Sequence, residues 1–249
     1  GKFYLQPIFK TMDIFLAMSE DMKSDMIKLG CPEQKIIIHY YGSDVKRFEY
    51  PSRRYDNQEK INLLFCGRLV DKKAPQDILF ALHLLEKTHN PLPPWTLTYV
   101  GDGPLREELE ILVENFQWHD KVIFTGHIPY HSNELVNEYK KADIYLQPSK
   151  TVRGEKEGIP GTLIEAMASG LPVISTNHAG IPCVIDNNVN GILVDEGDIQ
   201  GLSQVLLNLL LNVEDRKKLG MAARTKAIRK LNLYEGTKQL EEIYDAMVK

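Results

Sequence analysis

From Ile61 onward, short apolar runs alternate with helical patterns, and this alternation leaves the chain very few architectures. Ile61 to Cys66 reads as a strand, and Pro75 to Thr88 as a helix with Ile78, Leu79, Leu82 and Leu85 on one face. Thr96 to Val100 is a strand and Leu105 to Asn115 a charged amphipathic helix. Val122 to Thr125, Ile144 to Gln147, Val173 to Ser175 and Ile192 to Val194 supply further strands. Such repetition predicts an α/β fold: a Rossmann-like, doubly wound parallel sheet with helices on both faces. Ligands of these sheets bind at the carboxyl ends of the strands, so the loops that follow the strands are where chemistry is expected.

The first residues do not fit that unit. Ile14 to Met18 reads as a strand, Ser19 as the cap of a helix ending at Gly30, and Lys35 to His39 as another strand. The polar stretch Pro51 to Lys60 resembles a linker, and Tyr234 to Val248 forms a last amphipathic helix. The expected division is therefore a partial α/β unit over 1–50, a linker over 51–60, a complete domain over 61–231 and a final helix within 232–249.

Composition narrows the function classes. A net charge of −4 gives no electrostatic reason to expect nucleic acid. Cys31, Cys66 and Cys183 are far apart and lack metal-ligand spacing, so simple thiols in a reducing, cytoplasmic setting are expected. The apolar run Ile14 to Met18 is too short to span a bilayer. In Leu202 to Leu211, Ser203, Gln204 and Asn208 interrupt the apolar residues at helical spacing.

The richest segment runs from Glu157 to Ile174. Pro160 and Gly161 suit a helix start, Leu163, Ile164 and Met167 give a buried face, and Gly170 and Pro172 end the helix. The N–H groups of Gly161, Thr162 and Leu163 are expected to point out of that start and, with the helix dipole, to form an anion site. Glu157 precedes it and Glu165 lies inside the helix. Carboxylates so near an anion site suit sugar and ribose hydroxyls, which donate to them. The plainer alternative is a solvated Glu165 and a capping Glu157.

A second segment, Gly67-Arg68-Leu69-Val70-Asp71-Lys72-Lys73-Ala74, directly follows a strand. Arg68 offers a planar fork and Lys73 a mobile point charge, which together suit a diphosphate, although such residues are commonly just solvated. Val100 to Leu105, with Gly101 and Gly103, and Gly126-His127-Ile128-Pro129 also follow strands. Their glycines allow backbone to approach a flat ring, or simply make tight turns. The loop His178-Ala179-Gly180-Ile181-Pro182 follows the Val173 strand, where it can face the site. A lone His in a loop is more often a polar surface group, and His178 is not read as catalytic. Neither a metal-holding Asp-x-Asp pair nor a phosphate loop of Walker type occurs, so any diphosphate is expected to be neutralised by Arg68, Lys73 and a helix end, with no metal and no cofactor.

Taken together these pieces resemble the group 1, or family 4, retaining glycosyltransferases of GT-B fold. The resemblance runs from about Ile8 to the end. It rests on Gly67-Arg68-Leu69 with Lys73, Val100 to Leu105, Ala142-Asp143-Ile144 leading to Pro148-Ser149, and the pair Glu157 and Glu165, which matches the family's Glu-x7-Glu motif. The stretch Glu157 to Val173 is most similar to members that build bacterial surface polysaccharides. The resemblance implies a metal-independent hexosyltransferase whose donor is a UDP- or GDP-linked sugar. Arg68, Lys73 and Glu157 would be its catalytic residues. Gly67, Gly101, Gly126, His127, Ile128, Gly158, Ile159, Pro160, Gly161, Thr162, Leu163 and Glu165 would complete the donor site, with Glu165 on the ribose and Glu157 on the transferred sugar.

It also implies that this chain is the C-terminal half, with only a remnant of the acceptor domain and a final helix crossing back to it, and that it is inactive alone. The acceptor, a lipid-linked or surface glycan, and any peripheral contact with the inner face of the membrane would fall to the absent domain. Ala74 replaces a common glycine, and Cys183 stands where the family often has Gly-x-Pro-Glu, so that loop lacks a carboxylate. The basic run Lys150 to Lys156 is an insertion expected to approach the donor sugar or the acceptor. The alternatives are a non-catalytic nucleotide-sugar-binding module and a GT-B sugar-nucleotide epimerase.

Overall fold

The computed structural model describes residues 2–40, 42–53, 55 and 60–248, and the side chains of all these except Lys2 and Phe3. Tyr41, and residues 54 and 56–59 of the stretch read as a linker, lie outside the described residues.

The strands are β1 (Phe15–Ala17), β2 (Ile36–Ile38), β3 (Ile61–Cys66), β4 (Trp95–Val100), β5 (Val122–Gly126), β6 (Ile144–Gln147), β7 (Val173–Thr176) and β8 (Ile192–Val194). The helices are α1 (Lys2–Thr11), α2 (Glu20–Lys28), α3 (Val45–Phe48), α4 (Pro75–Thr88), α5 (Arg106–Asn115), α6 (Asn133–Lys141), α7 (Gly161–Ala168), α8 (Ile199–Leu211), α9 (Val213–Lys230) and α10 (Leu233–Val248). β3 to β8 form one parallel sheet in the order β5-β4-β3-β6-β7-β8. The chain winds outward from β3 to β5, then returns to the other side of β3 with β6. The order therefore reverses between β3 and β6, and the crevice of a doubly wound sheet lies at that reversal, outside the carboxyl ends of the two strands.

Both faces of the sheet are covered, as near-continuous apolar strands require. On one face α4, α5 and α8 bury Ile78, Leu82, Leu109, Leu206 and Leu209 against Leu63, Phe65, Leu97 and Leu146. On the other, α3, α6, α7 and α9 bury Phe48, Tyr139, Leu163, Met167 and Ala223 against Leu64, Tyr145 and Val173. β1 and β2 make a separate two-stranded parallel sheet, where Phe9, Ala17, Cys31 and Ile36 form a small cluster of their own. Ser19 caps α2 as its position suggests, its side chain accepting from the Met22 N–H. The helix α1 is not foreseen in the sequence, because Pro7 lies inside it and breaks the pattern that would announce it.

The stretch read as a linker is tied to the sheet domain. The Arg53 guanidinium donates to three carbonyls at helix ends, those of Ser169 (2.6 Å), Ala142 (2.5 Å) and Tyr139 (2.6 Å), and the Tyr55 hydroxyl donates to Gly170 O (2.7 Å). One cation thus serves the carboxyl ends of both α6 and α7, where the helix dipoles concentrate negative potential. Replacing Arg53 by Met would strand three buried acceptors. Urea denaturation should show a loss of about 3 kcal/mol or more, since a hydrogen bond to a charged group contributes ~1.5–3 kcal/mol.

Candidate functional site at the reversal of strand order

The loop after β3 is built on close backbone contact. Gly101, directly after β4, has φ +128°, and a Cβ there would stand 2.1 Å from the Gly67 carbonyl oxygen. No side chain fits between these two turns. The Gly67 N–H donates to Val100 O, and the Gly101 N–H to Gly126 O, so the turns after β3, β4 and β5 stack into one platform. Gly126 has φ +73° and open space where a Cβ would project, as expected of a site a ligand can approach. Beyond Gly67 the chain makes a 3-10 turn over Asp71–Lys73, and the Lys73 side chain folds back over Gly67, its Cδ 3.2 Å from where a Cβ would sit. Arg68 is exposed on the same loop and has no ion-pair partner among the described residues.

The loop after β6 returns to the same place. The Lys150 N–H donates to Lys72 O, and the Lys150 ammonium pairs with the buried Asp77 carboxylate at 3.0 Å. Val152 and Glu155 bridge in a small hairpin whose tip residues, Arg153 and Gly154, both have positive φ. The chain then delivers Glu157, whose Oε2 lies 3.1 Å from Lys73 Nζ. Both side chains are largely buried, 16% and 13% exposed, and the contact has the distance of an ion pair without the angles of a hydrogen bond. Glu157 Oε2 therefore keeps an unfilled acceptor.

The helix α7 begins at Gly161, with Pro160 just before it. The expectation of three outward N–H groups is corrected here: the Leu163 N–H donates to Pro160 O, which leaves Gly161 and Thr162 without an acceptor among the described residues. Thr162 Oγ1 lies 2.9 Å from the Tyr145 hydroxyl and 3.2 Å from Gln147 Oε1.

Glu165 is not a solvated helix residue. It is 6% exposed, its Oε2 accepts from the Tyr139 hydroxyl at 2.7 Å, and its Oε1 faces the first residue of α7, 4.0 Å from where a Gly161 Cβ would lie. Burial raises its proton affinity, against the Tyr139 hydrogen bond and the positive charge of Arg47, which lower it. Cys66, at the end of β3, is buried near Tyr139, Glu165 and Lys73. Burial pushes its thiol up to about 12, the Tyr139 hydrogen bond and Lys73 pulling down and Glu165 adding to the rise. A thiol so held is inert packing, not a nucleophile.

Lys73, Glu157, Glu165 and the start of α7 thus gather around the carboxyl ends of β3 and β6, with Arg68 on the loop that carries Lys73. Ile128 and Ile159 belong to the core, so only their backbone can border a ligand, whereas His127 is exposed. Gly158 packs on Met18, its absent Cβ 3.5 Å from Met18 Cε. His178 is corrected from a surface group to a fully buried one. Its Nε2 accepts from the Glu157 N–H (2.9 Å) and its Nδ1 lies 2.6 Å from Glu196 Oε1. Also unforeseen are Gln147, Tyr139 and Tyr145; their only signal in the sequence was polarity inside apolar segments. One roomy hollow, about 540 Å³, lies far from this site, between Lys60, Trp95 and Lys121 at the amino ends of the strands.

Two outcomes follow from this geometry. Gly101→Ala should unseat the Gly67 turn and lower the melting temperature, strain at such backbone angles costing about 1–3 kcal/mol before any clash. For Glu165, a raised folded-state affinity for the proton means that the ionised form opposes folding above that range, and the penalty fades as pH falls through it. Glu165→Gln should therefore raise the melting temperature at pH 8, and the gain should vanish below the ordinary value of 4.5.

Comparison with known proteins identifies the family. A model of the family described as "Glycosyl transferases group 1" matches residues 46–226. The amylovoran biosynthesis glycosyltransferase AmsK of Erwinia amylovora is 33% identical over 241 residues, covering 96% of this chain and 58% of that protein. The putative colanic acid biosynthesis glycosyltransferase WcaL of Escherichia coli K12 is 31% identical over 244 residues, covering 97% and 59%. The chain therefore spans about three-fifths of the length of these curated relatives. Among solved structures, a glycosyltransferase of Rickettsia africae superposes with a TM-score of 0.83 at 22% identity, over 100% of this chain and 67% of that one. Anabaena HepE in complex with UDP does so with 0.82 at 17% identity, over 97% and 66%. The superpositions establish the GT-B glycosyltransferase fold, and the sequence matches establish that the chain belongs to the group 1 glycosyltransferase family.

Proposed function

We propose that the chain is the donor-binding part of a retaining, metal-independent hexosyltransferase that uses a UDP- or GDP-linked sugar. The observation that carries this reading is the meeting of Lys73 and Glu157 at the reversal of strand order, beside an exposed Arg68 and a helix start with two N–H groups unpaired among the described residues. The diphosphate lies across Gly67 against Arg68, Lys73 and the Gly161 and Thr162 N–H groups. Glu157 accepts from hydroxyls of the transferred sugar and Glu165 from the ribose. The base rests on the backbone of Gly101 and of Gly126 to Ile128.

When the bond between the sugar and the diphosphate breaks, negative charge grows on the departing oxygen. Fixed cations and N–H groups facing that point stabilise it, which is the largest catalytic contribution such a site can make. UDP is the ligand in the Anabaena HepE structure, which supports a nucleotide donor. AmsK is named for amylovoran biosynthesis and WcaL, putatively, for colanic acid biosynthesis, which supports a lipid-linked or surface glycan as acceptor.

Residues 61–231, with α3 packed on them, make the donor domain, and the unit built on β1 and β2 belongs with the acceptor-binding part. The two are joined through 51–60 and through α10, which the Ser43 N–H to Leu231 O and Leu233 N–H to Ser43 O bonds tie to the first unit. The full protein works at the cytoplasmic face of the membrane as a peripheral enzyme. Among the described residues no helix is long and apolar enough to cross a membrane.

A thermal-shift panel of UDP, GDP and their sugars tests the reading. The matching ligand at 100 times its dissociation constant adds about 2.7 kcal/mol, and a flat panel would sink the proposal. In the full-length enzyme Arg68→Ala and Lys73→Ala should each cut turnover by about 10²-fold or more with EDTA present throughout, and loss of wild-type activity in EDTA would refute metal independence. The chain of 249 residues alone should bind donor without transferring sugar.

A further inference from the structure

We propose that His178 and Glu196 are positioning residues that set Glu157 against the donor sugar. The inference rests on the role given to Glu157 above. His178 follows β7 in a loop at the same end of the sheet, with its side chain wholly buried. Its Nε2 lies 2.9 Å from the backbone nitrogen of Glu157, an N–H that can only donate. Nε2 must therefore offer its lone pair, and the ring proton must sit on Nδ1, which donates to Glu196 Oε1 at 2.6 Å. Both ring nitrogens are engaged within the protein. An imidazole so held cannot exchange protons with a substrate without breaking a bond, so His178 is not a general base despite its place at the rim of the crevice.

Glu196 closes the arrangement. Its Oε2 accepts from the Thr151 N–H at 2.7 Å, and its Oε1 also receives the Thr151 hydroxyl at 3.3 Å. One carboxylate from the loop after β8 thus holds the start of the 150–157 loop directly and its end through His178. Lys150 is anchored beside it on Asp77 and on Lys72 O. Between these anchors only the Val152–Glu155 hairpin stands free of the sheet, and Lys156 reaches across to Asp21 (2.8 Å) and Asp25 (2.9 Å) of α2.

The backbone of Glu157 is thus fixed by an interaction that does not use its carboxylate. That leaves the carboxylate to Lys73 and, with its unfilled acceptor, to a ligand. Holding a ligating side chain to within a fraction of an ångström by a supporting layer is what preorganisation requires.

The test is calorimetric, on the full-length protein, with UDP against UDP-glucose and GDP against GDP-mannose. The quantity read is the extra affinity that the sugar confers over the bare nucleotide. His178→Phe, which keeps the ring volume without an acceptor, and Glu196→Ala should each cut that increment by about tenfold while leaving bare-nucleotide affinity within twofold. His178→Gln, whose amide oxygen can accept the Glu157 N–H, should restore part of it. Adding Glu196→Ala to Glu157→Ala should cause no further loss.

An unchanged increment in His178→Phe and Glu196→Ala, with Glu157→Ala impaired, would overturn the positioning role and leave the Glu157 reading standing. So would additive losses in the double variant, or bare-nucleotide affinity falling in the same ratio. An unaffected Glu157→Ala, or a wild-type protein that binds neither nucleotide sugar, would overturn the Glu157 reading and this inference together. If His178→Phe shows no cooperative melting transition, the partly exposed Glu196 carries the test alone.

Discussion

The ion pair between Lys73 and Glu157 is the contact on which the site's geometry depends. Each group is mostly withdrawn from water, and neither would tolerate that position without the other, because a lone charge so placed forfeits its hydration. The pair forms only because β3 and β6 are neighbours while their connections run to opposite sides. Lys73 arrives from one winding of the chain and Glu157 from the other. A change that moved either loop by the length of a side chain would leave an uncompensated charge. The same pair holds Lys73 over Gly67 through a protein carboxylate. Under the proposed function an entering diphosphate takes the ammonium, and Glu157 turns its freed acceptor to sugar hydroxyls.

What holds the platform beneath the pair is mostly backbone. Gly101 presses on the Gly67 carbonyl, Gly103 on the Leu69 carbonyl, and Gly101 donates to Gly126 O. These are contacts between peptide groups, which lack the rotameric freedom of side chains, so the loops after three adjacent strands are braced against one another. Arg53 does comparable work on the far side of α7, where it satisfies carbonyls at the ends of two helices. A helix of eight residues would be marginal alone, and α7 holds its start at the crevice because its other end is fastened.

Much of this was legible in the sequence, for identifiable reasons. The strands from β3 to β8 were readable because buried parallel strands are short continuous apolar runs between turn residues, and their alternation with helices dictates the sheet. Lys73, Glu157 and the start of α7 were readable because they follow strand ends, where a doubly wound sheet must place its ligands. The helix α1 was hidden by Pro7. The networks around Glu165 and Glu157 were hidden for a different reason. Tyr139 reaches Glu165 across 26 residues, and Glu196 reaches Thr151 across 45. No periodicity records a pairing between side chains on separate elements. His178 read as a surface residue because loops are usually exposed, whereas the loop after β7 folds inward to pack against Ile159, with Gly180 allowing the approach.

The two acidic residues of the Glu-x7-Glu pair sit in unlike surroundings, and that difference constrains what each can do. Eight residues apart, one precedes the start of α7 and the other lies in its second turn, so they flank the positive end of the helix. Glu157 lies against the Lys73 ammonium with one acceptor left unfilled. Glu165 lies deeper, its charge disfavoured by burial and partly compensated by one phenol hydrogen bond and by the neighbouring positive charge of Arg47. A hydroxyl donated to Glu165 would stabilise its ionised form in the same sense as Tyr139 does. Under the proposed function a hydroxyl at Glu165 offsets part of the cost of its burial, whereas one at Glu157 must compete with Lys73. On that proposed function the deeper carboxylate contributes affinity, and the outer one responds to the charge redistribution of the reaction, because its cation is shared with the departing diphosphate.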